Sequence, residues 1–395
     1  MISTSDSDTA YLSLIPYDQD PLAFLAEKIL AQQSPPDLSQ VVVLMPELLA
    51  AAPLRERLKT RAQQRGHGHI TLPQMDTLRA WIEKTTPLDH IVLGAHAQQL
   101  MLVESLMQHP GLFGEDNPWQ LADNLIQLFE QLTARQVSLP EQLAQFTQQL
   151  ARAYGVTKPE LSGLGREAKM VHTLWQAWLA QCRSEGCIDA HSAYLQRLSA
   201  SLARVRRDTI IYLAGFTELL PAEQAWCDAL RARGQLQIIV HGQPQPDIKP
   251  ADYHPDAPLT RLLTELNISI NSTNYNDNLT QFIDSIYALS AGPLAQRARQ
   301  FAKRCPSSPA APHLRVFKAN GAEQEANAIA RQTREWLQKG KRRIGIVTEN
   351  RRLARRVRAL LERSGITAQD TAGWALSTTS AATVVERWLQ TVEED

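Results

Sequence analysis

Apolar and polar positions follow two different rhythms along the chain. The first rhythm sets short apolar runs between amphipathic stretches. Tyr11–Ile15 (YLSLI) reads as a first strand. Asp18 or Asp20 can cap a helix from Pro21 to about Ala31, with proline at its first position. Residues 34–37 (SPPD) read as a loop. Val41–Met45 (VVVLM) is apolar throughout, as expected of a strand covered on both faces. A helix over Pro53–Gln64, a third strand at His69–Leu72 and a short helix over Gln74–Lys84 follow.

The second rhythm is purely helical. From about Ala95 to Ala203 strands disappear and apolar residues recur every three or four positions. The spacing predicts helices over Ala95–Gln108, Pro118–Gln131, Pro140–Tyr154, Gly165–Glu185 and Ser192–Leu202. Trp119, Phe129, Trp175 and Trp178 fall at core-facing positions of this block. Strands then return at Thr209–Ala214 (TIIYLA) and Gln237–Val240, around a helix over Pro221–Arg233. Strands on either side of the helical block are therefore expected in one sheet, with Ile210–Leu213 near Val41–Leu44. Residues 243–256 read as loop, Leu259–Asn267 as helix, and the Asn-rich 267–278 as an exposed loop. Helices over Leu279–Leu289 and Pro293–Arg304 precede a Pro/Ser/Ala linker at 306–312.

Beyond the linker the first rhythm resumes. Leu314–Phe317 reads as a strand, and a helix opens at Glu323 and Glu325, where acids suit the positive end of the helix dipole. Ala326, Ile329, Ala330, Thr333, Trp336 and Leu337 mark its buried face. Ile344–Val347 reads as a buried strand. Leu353, Val357, Leu360 and Leu361 mark a second amphipathic helix, and a last helix spans about Ala381–Val392. Strand–helix–strand units of this length imply parallel strands with right-handed crossovers, so the fold class is α/β.

Charge changes the picture locally. The 395 residues carry 41 Lys/Arg and 41 Asp/Glu, so the chain as a whole is neutral. Between Arg331 and Arg363 there are twelve Lys/Arg against three Glu, a net of +9. Arg351, Arg352, Arg355, Arg356 and Arg358 crowd the start of one helix, just after Arg342 and Arg343. A core helix cannot bury so many guanidinium groups unpaired, so most must face water, acid or phosphate. Only Glu349 and Glu362 lie close enough in sequence to pair locally. The candidate nucleic-acid-binding residues are Arg342, Arg343, Arg351, Arg352, Arg355 and Arg356.

Other chemistries find little support. No phosphate-cradling GxxxxGK[ST] follows the first strand, which leads instead into PYDQDP. No Asp-Glu pair ends Thr209–Ala214 to hold magnesium; Glu218 only lies nearby. His67, His69, His90, His172 and His191 lack metal-ligand spacing with a second donor. There is no GxSxG elbow and no PD…(D/E)xK carboxylate pair. Cys182, Cys187, Cys227 and Cys305 contain no CxxC, and they read as small apolar fillers of a reduced, cytoplasmic chain. The polar, acidic N-terminus is not a signal peptide, and no stretch reaches the roughly 20 apolar residues of a membrane span. Catalytic, metal and cofactor-binding residues are therefore expected to be none.

Three stretches resemble a known family. YLAGFTELLPAEQ (Tyr212–Gln224), EQEANAIARQTREWL (Glu323–Leu337) and IGIVTENRRLARRVRALLERSGI (Ile344–Ile366) are similar to superfamily-one helicases of the UvrD type. They resemble more closely the inactivated helicase-like half of AddB-type helicase–nuclease subunits and related DNA repair proteins. The run Asp370–Ala382 fits the same pattern. The resemblance implies a RecA-like first domain (1–90 and 204–245) interrupted by an all-helical insertion (91–203). A connecting segment (246–312) and a partial second RecA-like domain (313–395) would follow. It also implies a DNA-binding scaffold that has lost its nucleotide site, contacts single-stranded or duplex DNA without sequence preference, and meets a helicase partner subunit. Departures from active relatives are the missing phosphate loop, Gly215-Phe216 in place of Asp-Glu, and Thr348 where a phosphate-contacting Arg is found. Relatives continue into the rest of the second domain and a C-terminal nuclease, so the chain is expected to be incomplete there. An interaction module without DNA contact is the alternative.

Overall fold

A computed structural model describes residues 11–33, 35–108, 117–137, 139–153, 155, 163–244, 252–268, 278–287, 292–370, 373 and 379–394. The chain divides into two units, one running to Pro309 and the other from Ala310.

The first unit is built on a five-stranded, wholly parallel sheet. Its strands are β1 (Leu12–Ile15), β2 (Val41–Leu44), β3 (Gln74–Asp76), β6 (Ile210–Ala214) and β7 (Leu236–His241), in the spatial order β1-β7-β6-β2-β3. The register joins Val41 to Ile210 and Leu44 to Leu213. Strands from before and after the helical block thus share one sheet.

Alternation along each strand sorts side chains to two faces. Val41 and Val43 point into one core with Tyr212 and Ile239, against helices α1 (Pro21–Gln32) and α2 (Ala51–Gln64). Val42 and Leu44 point into the other with Ile211, Leu213 and Ile238. That second core is closed by α3 (Leu78–Thr85), α8 (Ala190–Arg204), α9 (Pro221–Ala232) and α10 (Ala257–Glu265). Polar atoms caught inside are matched: the Tyr212 hydroxyl donates to Gln32 Oε1 (3.0 Å) and Trp226 Nε1 donates to Ser201 Oγ (2.9 Å).

Connectivity fixes where a crevice can form. The chain leaves β2 toward α2 on one face and leaves β6 toward α9 on the other, although β2 and β6 are neighbours. The same reversal separates β1, followed by α1, from β7, followed by α10. Both reversals lie at the carboxyl ends of the strands, as topological switch points do; a further one separates β2 from the edge strand β3, whose helix α3 lies on the face opposite α2.

The helical block supplies α4 (Ala95–Met107), α5 (Pro118–Ala134), α6 (Leu143–Ala153) and α7 (Gly163–Ser184). Phe129, Trp175 and Trp178 are buried in its core, Phe129 meeting Trp175 edge-to-face with centroids 4.9 Å apart. Trp119 differs from expectation: it sits in the first turn of α5, where it is exposed. The block also contains a two-stranded parallel ladder that periodicity does not show, β4 (Ile91–Val92) with β5 (Cys187–Ile188).

Two further expectations are corrected. The third strand lies at Gln74–Asp76, not His69–Leu72, where only Thr71 bridges to Asp37. Pro73 has no N–H to donate and ends the earlier run. Accordingly α3 starts at Leu78, capped by Thr77, whose hydroxyl accepts the Ala80 amide.

In the second unit α13 (Ala322–Gln338) packs on α14 (Arg351–Glu362). Ala326 and Ala330 meet Leu353, Val357 and Leu361, small against large, which brings the helices close. Helices α11 (Asn278–Tyr287) and α12 (Leu294–Arg304) belong to the first unit, and α15 (Ser380–Glu394) closes the second. Neither Leu314–Phe317 nor Ile344–Val347 forms a strand: no sheet of the described residues includes them, and Val316 and Val347 are 90% and 98% exposed. An apolar run becomes a strand only when a partner completes its ladder, and a lone pair of short strands is marginal in water. Residues 269–277 of the Asn-rich stretch and most of 371–378 lie outside the described residues.

Core burial and this correction can be measured together. Leu213→Ala, at a position with no exposure, is expected to lower the unfolding free energy in urea by about 3 kcal/mol. Val347→Asp is expected to change it by less than about 0.5 kcal/mol. A loss of several kcal/mol for Val347→Asp would restore the buried strand.

Candidate functional site

Open parallel sheets bind ligands beyond the carboxyl ends of their strands. Beyond β1 the chain turns through Pro16–Asp20 into α1. Asp20 caps that helix, one carboxylate oxygen accepting the amides of Leu22 (3.0 Å) and Ala23 (3.1 Å). Its other oxygen pairs with Arg57, and Pro21 offers no N–H. The positive end of α1, which a phosphate would seek, is thus already occupied by the protein's own carboxylate.

The switch point between β1 and β7 is filled as well. The Tyr17 hydroxyl donates to Asp256 Oδ1 at 2.5 Å, and the Gln243 amide donates to the same oxygen at 3.1 Å. His254 Nδ1 accepts the Asp256 amide at 3.0 Å, so its Nε2 carries the hydrogen and donates to Asp284 at 3.3 Å. Asp256 and His254 are buried. Burial first, then the Asp256 hydrogen bond, pushes the Tyr17 hydroxyl well above the usual phenol range, so it stays a neutral donor. Gly242 permits the close approach: its φ is +154°, and a Cβ there would lie 2.5 Å from Asp256 Oδ1. Tyr17 and Asp256 are 239 residues apart, and no local pattern links them.

At the switch point between β2 and β6, β2 runs into Pro46 and β6 into Gly215-Phe216. Gly215 takes φ +80°, and Glu218 beyond it is exposed. Among the described residues no group of three or more His, Cys, Asp or Glu side chains could hold a metal ion, and no helix is long and apolar enough to cross a membrane. His172 instead bonds the Pro140 carbonyl through Nε2 at 2.7 Å.

The basic surface lies in the second unit. Asn350 caps α14, accepting the amides of Arg352 (3.0 Å) and Leu353 (3.2 Å). Leu353, Val357 and Leu361 face α13, which leaves the arginines on the outer side. They divide into two sets. Arg351 holds the Asp370 carboxylate (3.3 and 3.4 Å) and the Gly373 carbonyl (2.6 Å). Arg356 grips Glu323 with two hydrogen bonds, 2.8 and 2.5 Å, and Arg358 meets Glu362 at 2.7 Å. Arg342, Arg343 and Arg352 are exposed and meet no carboxylate among the described residues; Arg355 is exposed too. Sequence distance had allowed only Glu349 and Glu362 as local acids. The structure adds Glu323 and Asp370, 33 and 19 residues away from their partners.

The Arg356 hydrogen bonds hold the Glu323 carboxyl below its ordinary range. A depressed acid contributes fully above its unfolded value and is lost as pH falls through the folded one. The α13–α14 link is therefore expected to weaken below about pH 4. Arg356→Ala should return Glu323 to the ordinary range in a carboxyl-resolved NMR titration; an unchanged midpoint would show that the pair does not form in solution. No protein-family model matches the chain, and comparison with curated proteins finds no match either.

Proposed function

We propose that the chain is a non-catalytic scaffold that contacts DNA phosphates without reading sequence, on a helicase-like frame of the AddB type. In this reading 1–90 and 204–245 form a RecA-like core, 91–203 its helical insertion, and 313–395 a second unit that meets a helicase partner subunit. The carrying observation is the division of the arginine cluster. Arg342, Arg343 and Arg352 are exposed and meet no carboxylate among the described residues. Arg351 and Arg356 are tied to Asp370 and Glu323 outside the helix, and Arg358 to Glu362 along it. Free guanidiniums beside a helix locked by paired ones suit a repeating anionic backbone. Two features support loss of the nucleotide site: the Asp20 carboxylate caps α1, and the Tyr17–Asp256 bond fills the β1–β7 crevice.

A second reading, an interaction module without DNA contact, draws on α15. Its Val384, Val385, Trp388, Leu389 and Val392 are all exposed.

Salt titration separates the two. Binding of single-stranded and duplex DNA should weaken linearly on a log–log scale with salt, by about 0.9 per phosphate neutralised on duplex and about 0.7 on single strands. Removing Arg342, Arg343 and Arg352 together (each→Ala) should flatten the duplex slope by about two to three units. Arg356→Ala should change it by less than about one. Absence of binding to either DNA at low salt would leave the interaction module ahead. The same protein is expected to show no magnesium-dependent ATP turnover; turnover abolished by Glu218→Gln would overturn the non-catalytic reading.

A further inference from the structure

The β2–β6 switch point, unlike that between β1 and β7, is not filled. A cavity of about 700 Å³ lies there, within the range of binding pockets. Four parts of the first unit wall it: the end of β2 at Pro46, the β6–α9 turn, the C-terminal cap of α5 at Arg135, and the end of α10 at Glu265.

Its chemistry is uneven. Pro46, Phe216, Leu219 and Leu220 give it an apolar lining. Three carboxylates, Glu218, Glu223 and Glu265, stand against the single cation Arg135, a formal excess of two negative charges. Glu223 is committed: it accepts from the Tyr194 hydroxyl (2.6 Å) and from the Leu220 amide (2.8 Å), capping α9. That cap quenches the positive helix end that could otherwise have drawn an anion. Glu265 accepts only the Gln224 amide group, 2.8 Å. Glu218 is exposed and makes no hydrogen bond or ion pair among the described residues. A phosphate or nucleic acid is therefore repelled here, while a cation beside an apolar surface is matched on both counts.

We infer that this crevice docks a segment of a protein partner in which Arg or Lys alternates with large apolar residues, the cations meeting Glu218 and Glu265 and the apolar side chains lying against Phe216 and Leu220. The site is built from residues of the first unit alone.

Fluorescence anisotropy of the full chain with a short fluorescein-labelled peptide of alternating Leu and Arg tests it. Two control peptides replace Arg by Gln or Leu by Ser. The Leu/Arg peptide is expected to bind saturably, and each control to bind about tenfold more weakly. Glu218→Gln combined with Glu265→Gln should cost the Leu/Arg peptide about tenfold and leave DNA binding unchanged. Both carboxylates are exposed, so the variant folds as the parent does, and far-UV circular dichroism checks this. Phe216→Ala should weaken the same peptide without changing its salt dependence. Equal binding by the variant, equal binding by the Ser-containing basic peptide, or no saturation at about 1 mM would each overturn the inference.

Discussion

Everything in the first unit depends on β2 being buried on both sides. Val41, Val42, Val43 and Leu44 are each at most 5% exposed. Four consecutive apolar residues cannot be covered by one layer of helices, because alternate side chains point to opposite faces. The chain must therefore lay helices on both faces, and parallel strands require that each helix be a crossover. Covering two faces with successive crossovers forces the outgoing direction to reverse somewhere. Reversals fall at the carboxyl ends between β1 and β7, between β2 and β6, and between β2 and the edge strand β3. Burial of a valine run thus creates crevices as a by-product, before any residue is chosen for chemistry.

What fills the crevices differs. Between β1 and β7 the molecule uses its own groups. Asp256 arrives from beyond the sheet to take the Tyr17 proton-donor bond, and Gly242 gives it room. A buried carboxylate with a hydroxyl and an amide on one oxygen is satisfied without an external ligand. Between β2 and β6 the carboxylates of Glu218 and Glu265 are exposed, and among the described residues only that of Glu265 accepts a hydrogen bond, from Gln224. One crevice is closed by the protein's own hydrogen bonds. The other keeps a cavity of the opposite electrostatic sign to a phosphate site.

Legibility of the sequence followed the physics of burial. VVVL and IIYLA were readable as paired strands because a run apolar on both faces has few other uses in a chain with no membrane-length segment. Trp175 and Trp178 were readable as core from helical spacing. The β3 position was misread because Leu72 is apolar, while Pro73, a broken ladder, decides the boundary. Ile344–Val347 was misread for the converse reason: apolar composition reports a capacity to pair, and pairing needs a neighbour that no described residue of this unit provides. The Tyr17–Asp256 and Arg356–Glu323 contacts were illegible, since separations of 239 and 33 residues carry no periodic signal.

The arginine cluster shows why charge counts mislead without geometry. A net of +9 over residues 331–363 suggests a uniformly cationic face. In the fold, positions 351 and 356 turn toward acids brought by Asp370 and by the first turn of α13. Exposed ion pairs of this kind add little stability, but each removes one cation from the field presented to solvent. It also fixes the helix about its own axis, since a bidentate guanidinium grip tolerates little rotation. Arg352, at the start of the same helix, is exposed and meets no carboxylate among the described residues, and the same holds for Arg342 and Arg343 in the preceding loop. A surface that meets an anionic polymer gains more from few cations in fixed positions than from many that first exchange partners with neighbouring carboxylates. In the proposed DNA-binding reading, the paired Arg351 and Arg356 act by fixing the helix that displays Arg352.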